Sequence, residues 1–525
     1  MSKTAHSVFK LSIGKWVILL AMAGLSTSIY PQQADSILSK PVTINIKEST
    51  IYNALNRIGE HAGCYFIYDS KDVKSDKKVR HLDCNNIPLR DILNKLLSDP
   101  SLEYRVIEEH ILIFRENIGS KQNQDTGTDS SGFTVIGGKV FDKDSRSPLP
   151  FVTIVLEKLG LGTISNYDGV FSLRVPRNSL KSNVVVSHLG YQSLSVPVEL
   201  IVGKSYNLYI SPRYIPIQEV IIRNIDARGI VKATVEKRAE NYSNADAYIT
   251  SFYREGVMRS NRYTSYSEAV FKIFKSSYDM DSENDQVRLM KSRKLELTNG
   301  SDTLSVKLKA GIKGALDLDI IKSLPDFLDP ELMDNYTYTK SDIVAHDSRS
   351  AYAIAFEQKP EITQPLFSGT LYVDVETLAL LGAEFGVNPR YVGKSANLFV
   401  LKKDRKINVK PEDIKYSVEY RQWNGKYYIH HIRGDLTFRV KGRRQLFAST
   451  YSLFFEFVGI QMDTINVSRF PRREVLQPNI VFSEGKYTYD PKFWGDLNII
   501  SPEDDISKAI SKINPKIESF EGDLH

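Results

Sequence analysis

Apolar and polar positions along this chain change period several times, and each change marks an element. Val42, Ile44 and Ile46 alternate with polar residues, the pattern of a half-buried strand. Ser49 or Thr50 then caps a helix that places Ile51, Ala54, Leu55 and Ile58 on one face, and Gly63 stops it. Tyr65–Tyr68 reads as a buried strand and Val79–Leu82 as a weaker one. Pro88 opens a second helix with Leu89, Ile92, Leu93, Leu96 and Leu97 on one face. Leu102–Val106 and His110–Phe114 complete the pattern as a hairpin. The expectation for residues 41–115 is a small α+β domain in the order β-α-β-β-α-β-β.

Residues 116–133 are polar, rich in Gly, Ser and Thr, and without apolar periodicity, as in a flexible linker. Short β-rich runs return at Ile136, separated by turn clusters at Asp142–Pro150, Asn166–Gly169 and Pro176–Asn183. They predict an all-β sandwich over 134–211. Residues 212–244 form a connection, first a strand-like run Ile215–Ile222, then an amphipathic helix capped by Asp226 and carrying Ala227, Ile230 and Val231.

Residues 245–525 are again β-rich. Strands are expected at Tyr248–Met258, Ser265–Phe274, Ala351–Glu357, Gly369–Asp374, Leu378–Phe385, Tyr416–Gln422, Lys426–His431, Leu436–Val440 and Leu446–Phe457. Asn424-Gly425 is a two-residue hairpin turn, and Lys441-Gly442-Arg443-Arg444 a basic one. Ser501 starts a last helix with Ile506, Ala509, Ile510 and Ile513 inward. The fold class is thus multidomain: a small α+β domain, an all-β seven-strand sandwich, then a large, mainly antiparallel β domain with a few helices. The basic interruptions Lys402, Lys403, Arg405, Lys406 and Lys410, and the lack of a terminal aromatic strand, argue against a membrane barrel in this last domain.

Length and composition fit this division. At 525 residues the chain has room for about three domains. A hydrophobic share of 42% and a charged share of 25% are those of globular protein. Residues 1–30 have the form of a cleaved signal peptide, with Lys3, Lys10 and Lys15 before an apolar run Trp16–Leu25 and small residues Ser26, Thr27 and Ser28 after it. That run is too short to span a bilayer, and no Cys follows it to take a lipoprotein anchor. Its removal takes away three lysines and no acid, lowering the formal charge from +6 to +3. A near-neutral chain gives no reason to expect nucleic-acid binding. Export also leads to an oxidising compartment, where Cys64 and Cys84 are a disulfide candidate; two buried free thiols are the alternative.

The phrases V-T-I-N-I-K, A-L-N-R-I-G-E-H-A-G-C-Y-F-I-Y, I-P-L-R-D-I-L-N-K-L-L and Y-R-V-I-E-E-H-I-L-I-F resemble the short N-terminal (STN) domain shared by secretins and TonB-dependent receptors. The resemblance implies a periplasmic protein-interaction module. The run from Ile136 to Tyr191, ending H-L-G-Y, resembles the carboxypeptidase-like regulatory domain, a seven-strand sandwich without catalytic residues. In receptors, a segment such as Ile217, Glu219, Val220, Ile221 and Ile222 after that sandwich resembles a TonB box, which pairs by strand addition; an ordinary edge strand is the competing reading. The A-R-G-I-V-K-A-T-V-E-K-R-A-E-N-Y…F-Y-R-E run resembles uncharacterised envelope proteins whose longer members go on to a barrel, which is expected to be absent here. F-S-G-T-L-Y-V-D-V-E-T-L-A-L-L-G-A-E-F loosely resembles lipoprotein carriers, which hold acyl chains in a half-barrel cavity.

Catalytic chemistry is hard to find. The histidines show no zinc-ligand spacing, and His430-His431, adjacent on a strand, are expected on opposite faces. Val392-Gly393-Lys394-Ser395 lacks the earlier glycine of a phosphate loop, and there is no G-x-S-x-G. Asn166-Tyr167-Asp168-Gly169 is a turn, since Ile164 and Val175 would occupy calcium-ligand positions. Asp279, Asp281, Glu283 and Asp285 form an acidic run that could gather Ca²⁺ or remain a solvated loop. The aromatics of the last domain, among them Tyr416, Tyr420, Tyr427, Phe438 and Phe455, fit sheet packing or an apolar groove.

These readings converge on a non-enzymatic envelope protein, periplasmic or associated with the outer membrane, with no catalytic residues, cofactor or metal. Its expected partner is an envelope protein, a TonB-system or regulatory component among the candidates, with lipid or outer membrane next and no nucleic acid. A lipid or lipoprotein carrier, or an enzyme without recognisable motifs, is the alternative.

Overall fold

The computed structural model describes residues 37–107, 109–115, 132–157, 159–203, 205–213, 226–260, 262–280, 282–296, 306–308, 311–346, 349–403, 407–442, 447–476, 494–495, 497–503, 506 and 517–521. The chain divides into two compact units, residues 1–118 and 119–525.

In the first unit Val42, Ile44 and Ile46 of strand Pro41–Ile46 point into the core, as their alternation requires. Helix Ile51–Ala62 is capped by Thr50, whose hydroxyl accepts from the Asn53 N–H at 3.2 Å, and it ends at Gly63 with φ 71°. Helix Leu89–Leu97 buries the five apolar residues foreseen. The strands do not form one sheet. Pro41–Ile46 pairs with Leu82–Pro88, while Tyr65–Tyr68 runs parallel to His110–Arg115, which pairs in turn with Leu102–Ile107. A short helix, Ser70–Val73, is additional.

The second unit begins with a seven-strand sandwich. One sheet holds Gly162–Ile164, Thr153–Leu156, Asn183–Ser187 and Leu194–Pro197; the other holds Val170–Pro176, Phe133–Asp142 and Ser205–Ile210, the last pair parallel. Helix Ala227–Glu236 follows, with Asp226 accepting from the Gly229 N–H at 2.9 Å.

Beyond it lies one open eleven-stranded sheet, antiparallel at every pairing. From edge to edge the strands are Tyr336–His346, Arg349–Gln358, Phe367–Asp374, Leu380–Val387, Ile407–Trp423, Lys426–Gly442, Ser449–Asp463, Ala247–Arg259, Arg262–Lys275, Gln286–Glu296 and Ile517–Glu521. The Asn424-Gly425 turn has φ 48° and 80°, the left-handed pair a tight hairpin needs. Lys426–His431 and Leu436–Val440, expected as two strands, form one 17-residue strand. Three sheet strands escaped the pattern, the edge strand Ile517–Glu521 beyond the expected last helix among them. Gln286–Glu296 is crowded with basic residues that proved buried or paired, and Tyr336–His346 is a polar edge strand.

One sheet face carries the main core. Helices Ile312–Asp317 and Ile320–Ser323 pack on it, and the Phe327 ring stacks on Phe356 at 4.4 Å and meets Phe385 at 5.2 Å. The aromatics there are packing residues. The other face receives the sandwich.

Candidate functional site

The seam between sandwich and sheet holds a network of buried ionisable groups. Arg254 and Glu456 face each other across neighbouring strands, both with fully buried side chains, Nε to Oε2 at 2.6 Å. His431 Nε2 meets Glu456 Oε1 at 3.0 Å, and Arg433 Nη1 lies 3.7 Å from Oε2. Burial alone would raise the Glu456 carboxyl, but Arg254, the His431 hydrogen bond and Arg433 outweigh it and hold the group well below the carboxylate range. Glu503 Oε1 reaches Arg254 Nη2 at 2.8 Å. A second set, Tyr266–Glu268–Arg293, lies on the same face, with the Tyr266 hydroxyl donating to Glu268 at 2.8 Å.

A strap of irregular chain covers this seam. The Thr163 hydroxyl donates to Ile499 O at 3.1 Å, and Asn166 Nδ2 to Ser501 O at 3.1 Å and Pro502 O at 3.0 Å. Asn498 Oδ1 accepts from the Arg174 N–H at 2.6 Å. Trp494 and Ile500 complete a small apolar core with Ile164, Phe252, Val270, Val458 and Ile460. Asn166 meanwhile accepts from the Asp168 and Val170 N–H groups, which makes the segment a tight turn; the strands it joins lie in different sheets of the sandwich, so it crosses between sheets and closes no hairpin, and its amide also ties down the strap.

His430 and His431 depart from expectation. Glu419 pairs with His431 and Tyr420 with Ile429, which leaves His430 as the extra residue of a β-bulge. Strict alternation would send the two rings to opposite faces. The bulge instead turns both to the seam, where His431 lies 5.4 Å from the sandwich residue Phe151 and His430 lines a cavity with Thr153 and His188.

On the opposite sheet face, Lys275 Nζ lies 2.6 Å from Asp285 Oδ2 and 2.7 Å from Asp319 Oδ2, and Lys322 Nζ lies 2.7 Å from Asp285 Oδ1; all four side chains are buried. Tyr420 donates to Asp319 at 2.9 Å. Burial, and Lys275 beside it, pull the Lys322 ammonium down to about 8. Burial would lower Lys275 too, but Asp319 and Asp285 overcome it and raise that group. Above this cluster opens a cleft of about 470 Å³, with an apolar wall of Ile312, Leu316 and Leu476 and a rim of Glu283, Asp317, Lys313 and Arg469. Of the acidic run, Asp285 is neutralised by two lysines and Glu283 stands on the rim, while Asp281 lies outside the described residues. Among the described residues no three His, Cys, Asp or Glu converge to hold a metal ion.

Cys64 and Cys84 stand as free, buried thiols in the first unit's core, packed as small apolar groups, the alternative the sequence left open beside a bridge. Burial, partly offset by Lys40, pushes the Cys64 thiol up to about 12. Ile217, Glu219, Val220, Ile221 and Ile222 lie outside the described residues, as does most of the expected last helix. Its Ile506 is described and buried against Tyr266 and Phe454. The buried charges on both faces had no signature in sequence beyond ionisable residues on otherwise apolar strands.

Residues 136–222 match the CarboxypepD_reg-like domain. The match speaks for the sandwich alone, since it covers far less than half of the chain. No curated protein matches the chain. Among solved structures, a DUF1329 family protein from Desulfovibrio piger aligns at 12% identity over 46% of this chain and 95% of its own, with a TM-score of 0.23. Lipovitellin, in a structure titled for its lipid–protein interactions, aligns at 8% identity over 47% of this chain and 29% of its own, TM-score 0.22. The ferripyoverdine receptor of the Pseudomonas aeruginosa outer membrane aligns at 10% identity over 76% of this chain and 56% of its own, TM-score 0.14. Scores this low carry no argument. The CarboxypepD_reg-like sandwich, joined to the sheet by the strap and by the contacts of His431 and Arg433 with Phe151, is the firm point from which function is read.

Proposed function

We propose that this chain is a non-enzymatic protein of the bacterial cell envelope, in which a small N-terminal interaction module precedes a partner-binding body. One observation carries the reading: the strap hydrogen-bonds to the CarboxypepD_reg-like sandwich through Thr163 and Asn166 and is held to the large sheet by the buried Arg254–Glu503 pair, so it ties the two together. The polar groups at this seam hold one another and build no nucleophile, base and orienting group around a substrate-sized space. The N-terminal unit, with its resemblance to the secretin and TonB-receptor module, supplies the contact to an envelope partner, a TonB-system or regulatory component being the class the resemblance favours. Phe327 and the two helices fill much of the opposite sheet face, and the cleft that remains there is rimmed by Glu283, Lys313, Asp317 and Arg469, which weighs against a closed acyl-chain cavity.

The seam also dictates how to cut the chain. A cut after the sandwich would expose Arg254, so the test uses residues 37–118 and 119–525 as separate baits in Gram-negative envelope extract. A partner retained by 37–118 and absent from 119–525 supports the module reading. Hydrolytic turnover by the full chain that disappears on mutating one compact polar cluster overturns the non-enzymatic one.

A further inference from the structure

Four of the chain's nine histidines, His188, His346, His430 and His431, gather at the seam between sandwich and sheet. A cavity of about 40 Å³ lies there, lined by Thr153, Ser187, His188 and Leu189 from the sandwich and by His346, Glu419, Arg421 and His430 from the sheet. His188 Nδ1, His430 Nε2 and His431 Nδ1 are each buried without a hydrogen-bond partner. His431 Nε2 lies 3.0 Å from Glu456 Oε1 and donates to that carboxylate. Such rings are tolerable while neutral. A proton added to His188 or His430 creates a buried charge and a donor with nothing to bond.

We infer that the seam is a proton-operated contact: acidification charges His188 and His430 and loosens the CarboxypepD_reg-like sandwich from the sheet. Surrounding charges favour this direction. His430 faces Arg421 and His431, and burial first, then these neighbours, hold it well below the ordinary imidazole range. For His188 burial, His431 and His346 outweigh the opposing pull of Glu419 and lower it too. His431 faces Arg433 besides Glu456. From the sandwich, Tyr191 lies 5.3 Å from the His188 ring with its hydroxyl bonded to Asp142, and Phe151 and Tyr167 stack under Arg433. Rings held below their unfolded value contribute stability above about pH 6.5, and that contribution is lost as pH falls. The bulge at His430 is what brings two adjacent rings to one seam, and without it half of this charge would face the other side of the sheet.

The chain carries its own reporters. Trp423 lies against Gly160 of the sandwich, where an added Cβ would meet the ring at 2.9 Å, and Trp494 is buried in the strap core. With Trp16→Phe removing the third tryptophan, acrylamide quenching of the full chain reads the seam directly. Between about pH 7.5 and pH 5 the quenching constant is expected to rise roughly twofold or more while far-ultraviolet circular dichroism stays unchanged. His188→Gln and His430→Gln each lower the midpoint by about half a pH unit. Glu419→Gln raises it, because removing the carboxylate makes a charged His188 costlier inside the closed seam. Quenching that stays flat, a midpoint unmoved by the substitutions, or a rise that coincides with loss of the circular dichroism signal overturns the inference.

Discussion

Arg254 and Glu456 are direct cross-strand partners on the 247–259 and 449–463 strands, joined at 2.6 Å with neither side chain open to solvent. They mark the place where the sandwich and its strap close over the sheet. A pair so buried is costly to form and costlier to break, because removing one partner strands the other charge in a low dielectric.

Glu456→Gln is therefore expected to destabilise the chain by about 3–5 kcal/mol. Arg254→Met with Glu456→Leu together should cost less than either single change. Urea unfolding of the two singles and the double gives the comparison, and a strictly additive double would refute the coupling. The depressed Glu456 carboxyl also fixes a sign: its contribution is full above the ordinary Glu value and is lost only as pH falls through the folded-state value. The Glu456→Gln variant should accordingly lose less stability than the parent on strong acidification.

The lysine cluster on the other face predicts an asymmetry. Lys275 bridges Asp285 and Asp319, whereas Lys322 reaches Asp285, Ser276 O and Ser276 Oγ. Lys275→Met leaves two buried carboxylates with one cation and should cost about 3–5 kcal/mol; Lys322→Met should cost about 1–3 kcal/mol. Thermal melts of both variants decide the order.

At Gly138, in the middle strand of its sheet, an added Cβ would sit 2.1 Å from the Tyr206 carbonyl oxygen on the parallel edge strand beside it. Gly138→Ala should destabilise by about 1–3 kcal/mol through overpacking. An unchanged melting temperature would show that the two strands can part.

Both cysteines should count as free. Native protein at pH 8 should react slowly with a thiol reagent, since Cys64 stays protonated and buried, and two thiols should titrate after unfolding without reductant. Zero thiols would mean that a bridge forms in the exported protein.

Much of this architecture was legible in the sequence. Thr50, Gly63, Pro88 and Asp226 mark helix ends by local chemistry, and Asn424-Gly425 marks a turn by its left-handed backbone, so these survive any tertiary context. The strand Gln286–Glu296 did not read as one because Arg293 finds its partner Glu268 on the neighbouring strand, and such pairing leaves no periodicity in sequence. The seam was invisible for a similar reason. It joins Asn166 to Ser501 and Arg254 to Glu456, contacts between segments hundreds of residues apart, and it turns on a bulge at His430 that alternation cannot foresee.

The strap has a consequence for how the molecule comes into being. A chain made from its N-terminus completes the sandwich and the 247–259 strand long before the 449–463 strand and the strap exist. Until then Phe252, Val270 and Ile164 lack half of their apolar neighbours. Closure of the second unit is thus a late event that depends on distant sequence, the kind of topology that folds slowly. In that interval a chaperone has a defined surface to hold.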